Sequence, residues 1–170
     1  MDLLNKNNDK YNNYLRKIIK LGNKFEYLFD YNVNKNNIEN PIKIKYKFCK
    51  EYELGFIEYK RTLSTYSNKK GKLLRQIYWR LHENYTGSNI ESSNPFNILK
   101  CYYVIGLEDS GSSSNLSLNE LDESLNIILH TISDTNINKS YLYLFNEINK
   151  SYLLVIKFEL DINNIDFNYF

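Results

Sequence analysis

"YYVIGLEDSGSSSNLSLNEL" (residues 102–121) sets two elements end to end. An apolar run stops on the acidic pair Glu108–Asp109, a Gly/Ser turn follows, and a capped helix begins. Extended backwards to "LKCYYVIGLED" (99–109), the run is apolar apart from Lys100 and is bounded by turn residues, the pattern of a central, buried strand. Ser117 and Glu120 spell S-x-x-E, a capping box in which the Ser hydroxyl takes the N3 amide and the Glu reaches back to the cap amide. Leu118, Leu121, Leu125, Ile128, Leu129 and Ile132 then share one helical face.

The flanking segments complete the layout. "SYLYLFNEI" (140–148) and "SYLLVIKFEL" (151–160) read as two strands forming a hairpin through Asn149 and Lys150. "IKIKYKF" (42–48) alternates strictly and predicts a strand with Lys43, Lys45 and Lys47 on one wet face. "GFIEYKRTL" (55–63) alternates too, and a hairpin between these two strands is expected. In "NKKGKLLRQIYWRLHEN" (68–84), Leu74, Ile77, Tyr78 and Leu81 form a helical stripe, with Lys69, Lys72, Arg75, Gln76, Arg80 and Glu83 opposite it. "YTGSNIESSNPFN" (85–97) reads as an inserted loop.

Before residue 41 the chain is polar and Asn-rich, with one helix (Tyr14, Ile18, Leu21, Phe25) expected to break at Gly22–Asn23. The tail "DINNIDFNYF" (161–170) resembles the start of another strand. Residues 1–40 are therefore read as a polar N-terminal extension with a helix, and 41–170 as a single domain. Its class is α+β: a mixed β-sheet of about five strands with two or three helices packed on one face.

Composition narrows the function. With 42% apolar and 25% charged residues, the 170-residue chain is globular rather than disordered. Asn, Lys, Ile and Tyr are abundant and Ala is missing, the bias of AT-rich coding sequence, so a single Asn or Lys carries little functional weight. A net charge of +2 does not by itself announce a nucleic-acid protein. Cys49 and Cys101 stand alone in predicted strands, without CxxC or Cys/His spacing, which argues against a zinc site and for reduced core thiols. No apolar stretch reaches spanning length, and "MDLLNKNNDK" lacks the form of a secretory signal, so a cytoplasmic location is expected. His82 and His130 have no partner motif, and neither a nucleophile elbow nor a Rossmann loop is present.

Among candidate residues, Glu108–Gly111 suits a type I turn, with an acidic residue at its start and Gly at its fourth position. Glu58 reads as a surface strand residue paired with Lys60 or a neighbouring Lys, and Trp79 as packing under the sheet. Basic residues crowd into one third of the chain (Lys43, Lys45, Lys47, then Lys60, Arg61, Lys69, Lys70, Lys72, Arg75, Arg80) while the later part is more acidic, a charge asymmetry suited to tracking phosphates. Lys60, Arg61, Lys72, Arg75 and Arg80 are the candidate RNA contacts, with no DNA or membrane partner expected.

Three pieces in order, "FIEYKRTL" (56–63), "RQIYWRLHE" (75–83) and "YVIGLEDSG" (103–111), precede the Leu-rich helix "LNELDESLNIILHTI" (118–132). Together they resemble the N-terminal region of the GTP-binding protein 1 and 2 family, elongation-factor-like translational GTPases. The resemblance covers about residues 53–170, "VIKFELDINNIDFNYF" matching the segment that leads into the family's GTPase domain. It implies a non-catalytic accessory domain that docks on RNA, the ribosome or a partner. The chain departs from the family at the nucleotide site, because no Gly-x-x-x-x-Gly-Lys-Ser/Thr loop exists to cradle phosphates. "NKKGKLL" has one Gly and no hydroxyl for magnesium. No cofactor is expected in this segment, since GTP and Mg²⁺ would belong to a GTPase domain in cis. Either the chain is a fragment of such a protein or it is a free-standing copy of the accessory domain.

A weaker similarity is to Schlafen-type domains, some of which are metal-dependent endoribonucleases with three acidic residues. Glu53 and Glu58 show the Glu-x(4)-Glu spacing, and Asp109 or Glu108 would be the third carboxylate. Such a cluster holds Mn²⁺ or Mg²⁺, activating water and stabilising charge on the phosphate. The departures are Tyr59 at the family's Phe and "FNILKCYY" in place of its Gly-Gly.

Overall fold

The computed structural model describes residues 3–32, 38–51, 54–63, 70–87 and 98–164. Chain order is α1 (Leu3–Asn32), β1 (Ile42–Ile44), β2 (Ile57–Lys60), α2 (Lys70–Gly87), β3 (Ile98–Ile105), α3 (Leu118–Thr131), β4 (Asn138–Asn146), β5 (Ser151–Asp161) and a 3₁₀ turn (Ile162–Asn164). The strands form one mixed sheet in the order β1-β4-β5-β3-β2. β4, β5 and β3 are antiparallel to their neighbours in that run, while β1 joins β4 and β2 joins β3 in parallel. The class is α+β, with three helices on a five-stranded mixed sheet.

The apolar run at 101–107 is continuous because both faces of the sheet are covered. On β3, Cys101, Tyr103 and Ile105 face the core made with α2 and α3, while Tyr102 and Val104 face the core made with α1. β5 divides in the same way, Leu154, Ile156 and Phe158 on the first side and Leu153 and Val155 on the second. Two of the three helices thus share a face, as the sequence suggests, and the third covers the other.

α1 runs without a break through Gly22 and Asn23, contrary to the sequence expectation. Gly22 is a site of close approach. A Cβ there would lie 2.7 Å from the Phe56 ring, so the missing side chain lets the helix settle on the sheet. Ile18 and Phe25 are fully buried beneath it. The Glu26 carboxylate accepts the Tyr102 hydroxyl and sits 3.5 Å from the Lys157 ammonium, tying the helix to β3 and β5.

The predicted β1–β2 hairpin does not form, because β1 and β2 are opposite edges of the sheet. Four strand spacings of about 4.8 Å put them roughly 19 Å apart. β1 is also shorter than "IKIKYKF". Beyond Ile44 the fully buried Asn146 side chain replaces the ladder, accepting the Tyr46 N–H (3.2 Å) and donating to its carbonyl (2.8 Å). Cys49 lies past this strand and is exposed, so only Cys101 is a core thiol. The β4–β5 hairpin forms as expected, with Lys150 in its turn at φ 51°. The tail 161–170, read as the start of a further strand, instead closes β5 at Asp161 and turns through the 3₁₀ segment Ile162–Asn164. Residues 165–170 lie outside the described residues, as do 88–97 of the expected loop. No helix among the described residues is long and apolar enough to cross a membrane.

Candidate functional site

The motif-bearing pieces meet where β2 and β3 run in parallel under α2. Ile57 and Tyr59 turn to the α1 side of β2, which leaves Glu58 facing α2. Glu58 is 5% exposed. A carboxylate so placed needs compensating donors. Arg80 supplies two, its Nη2 and Nε at 2.6 and 2.7 Å from Glu58 Oε2. The other oxygen takes the Gln76 amide at 3.1 Å and faces the Lys60 ammonium at 3.4 Å. Arg80 Nη1 also donates to the Gly55 carbonyl at 2.9 Å.

Two sequence readings are corrected here. Arg80 is not on the outer face of α2: it is 3% exposed and turned under the helix onto Glu58. Glu58 is a buried counter-ion rather than a surface residue, although Lys60 is one of its partners, as expected. Trp79 is likewise not under the sheet. It is 39% exposed, with its ring over the Arg80 guanidinium at 4.9 Å.

Glu51 was not anticipated. Its carboxylate accepts the Tyr59 N–H at 2.7 Å, covering part of the open edge of β2. Burial, and then the charge of Glu58, push its pKa above the ordinary glutamate value, while the Tyr59 N–H and Arg80 pull the other way. Gln76 is also functional in packing, since it joins Glu58 to the Tyr103 hydroxyl.

Glu108 and Asp109 end β3 in a turn. The Gly111 N–H donates to the Glu108 carbonyl at 2.9 Å, and Leu107 bridges to Ser113 beyond the loop. The Glu108 side chain accepts from Ser114 and lies 3.4 Å from Arg61. The Asp109 carbonyl holds the Glu51 N–H at 2.6 Å, and its side chain is exposed. Of the three carboxylates proposed for metal-assisted hydrolysis, Glu58 is committed to Arg80, Asp109 points to solvent, and Glu53 lies outside the described residues. Among the described residues no group of three His, Cys, Asp or Glu is gathered as a metal site.

The basic stretch is divided in space. Lys43 and Lys45 line the β1 edge, Lys45 pairing with Glu147 at 3.6 Å. Arg61, Lys72 and Arg75 are exposed around β2 and α2, with Lys60 half-buried beside Glu58. Lys69 and the side chain of Lys70 lie outside the described residues. Proximity in sequence thus becomes two separate edges. No protein-family model matches the chain, and no curated protein matches it.

Proposed function

We propose that the chain is a non-catalytic accessory domain of the kind found at the N-terminus of elongation-factor-like translational GTPases, acting in the cytoplasm by docking on RNA, the ribosome or a partner. The observation that supports this most is the Glu58–Arg80 pair. It joins "FIEYKRTL" to "RQIYWRLHE", two of the pieces that carry the resemblance, so these residues read as a framework holding β2 against α2. The third piece, around Glu108–Asp109, is a turn that fastens the 48–51 segment beside them.

Docking falls to the cations left at the surface: Arg61, Lys72 and Arg75, with Lys60 beside them. Exposed cations of this kind bind phosphates through counterion release. The Schlafen-like endoribonuclease reading is disfavoured, because a metal would have to displace Arg80 from Glu58. Titration with a fluorescent GTP analogue and magnesium tests the proposal. Little or no magnesium-dependent binding by residues 1–170 is expected, and tight binding would overturn it.

A further inference from the structure

The outward side of α1 carries a feature that neither resemblance covers. Arg16, Lys20 and Lys24 repeat every four residues, placing cations about 6 Å apart along the helix axis. Beside them runs a second row, Ile19, Asn23, Tyr27 and Tyr31. Tyr27 is 61% and Tyr31 68% exposed, with ring centroids 4.5 Å apart. Tyr46, held in place by Asn146, rises opposite as a second wall, with the Lys24 ammonium 5.1 Å from its ring centroid. Arg16, Ile19, Lys20, Asn23, Lys24, Tyr27 and Tyr46 line an open groove of about 570 Å³, with no carboxylate among the described residues that line it.

Each part has a chemical counterpart in a single strand of nucleic acid. A row of cations without intervening carboxylates attracts a polyanion. Exposed tyrosine rings offer faces for base stacking, which tolerates any base. The Asn23 amide, in the second row, has donors and an acceptor for a base edge. An acidic peptide would use the cations but would leave the rings idle. We propose that this groove binds single-stranded nucleic acid, with phosphates along Arg16, Lys20 and Lys24 and a base against Tyr27 and Tyr46. The groove lies within residues 16–46, outside the 53–170 region of the family resemblance, so the inference stands apart from the proposed function.

The test is anisotropy of a fluorescein-labelled oligouridylate with the full chain over a range of salt. Three phosphate contacts predict a slope of log K against log salt of about −2. Lys20→Glu with Lys24→Glu should weaken binding more than tenfold and flatten that slope. Tyr27→Ala should weaken binding about fivefold or more by loss of stacking, leaving the slope unchanged. These side chains point outward, so thermal midpoints should stay near that of the parent. An oligothymidylate probe tells a ribose-dependent groove from a sugar-blind one, and either supports the site. Absence of binding to both probes at about 25 mM salt would overturn it. So would undiminished binding in these variants, loss of binding only in Lys72→Glu with Arg75→Glu, or displacement by polyglutamate at matched charge.

Discussion

Glu58 on β2 and Arg80 on α2 form a buried ion pair, with both guanidinium contacts falling on one carboxylate oxygen at 2.6 and 2.7 Å. Gln76 and Lys60 serve the other oxygen, so both carboxylate oxygens of Glu58 are engaged inside the fold. Arg80→Ala should lower the free energy of unfolding by about 3–5 kcal/mol, because it strands a buried carboxylate. The double change Glu58→Leu with Arg80→Met should recover much of that loss, since the interior then holds no charge to compensate. Urea unfolding of the two variants checks both statements. An Arg80→Ala variant as stable as the parent would show that the pair is not sealed from water.

Gly111 is the tightest point of the loop after β3. Its φ of +88° is unfavourable for any side chain, and a Cβ there would meet the Cys49 and Phe48 carbonyl oxygens at 2.5 and 2.6 Å. Gly111→Ala should therefore destabilise the domain by about 1–3 kcal/mol and loosen the 48–51 segment. Faster hydrogen exchange at the Glu51 amide, which donates to Asp109, is the local readout.

Glu51 gives the domain a pH signature. Its folded pKa lies above the ordinary value because burial and Glu58 disfavour the charged form. A raised carboxylate pKa contributes stability below the unfolded value, and that contribution is lost as pH rises through the folded one. Glu51→Gln keeps an acceptor for the Tyr59 N–H and removes the charge. The variant should be more stable than the parent at pH 7, with the gain shrinking towards zero as pH falls below the ordinary glutamate range. Urea midpoints at both ends of that range decide the matter, and a gain independent of pH would refute this account of Glu51.

Ser117 caps α3, accepting the Glu120 N–H at 3.2 Å, while the Glu120 carboxylate accepts the Ser117 N–H at 3.2 Å. Ser117→Ala should cost about 0.5–2 kcal/mol, measurable as a lower thermal midpoint.

What could be read from the sequence was local. The capping box, the Leu-rich face of α3 and the β4–β5 turn each depend on residues a few positions apart, and all three stand as expected. Pairing of β1 with β4 spans about a hundred residues and leaves no trace in either strand's alternation, so the predicted β1–β2 hairpin was the nearest local guess. Glu58 and Arg80 were misplaced for a related reason. Alternation shows which residues share a face of β2, but not that α2 covers that face. Gly22 looked like a breaker because its partner, Phe56, comes from another element. The cation row of α1 was legible at spacings of four, yet Lys-rich composition masked it.

The most direct measurement is incubation of the full chain with tRNA and Mn²⁺, followed by a denaturing gel, with binding read in parallel at low salt. The RNA should be retained by the protein and remain full length at high protein concentration, because Glu58 is held by Arg80. Cleavage that disappears in Glu58→Gln would contradict this and make the buried pair part of a catalytic centre.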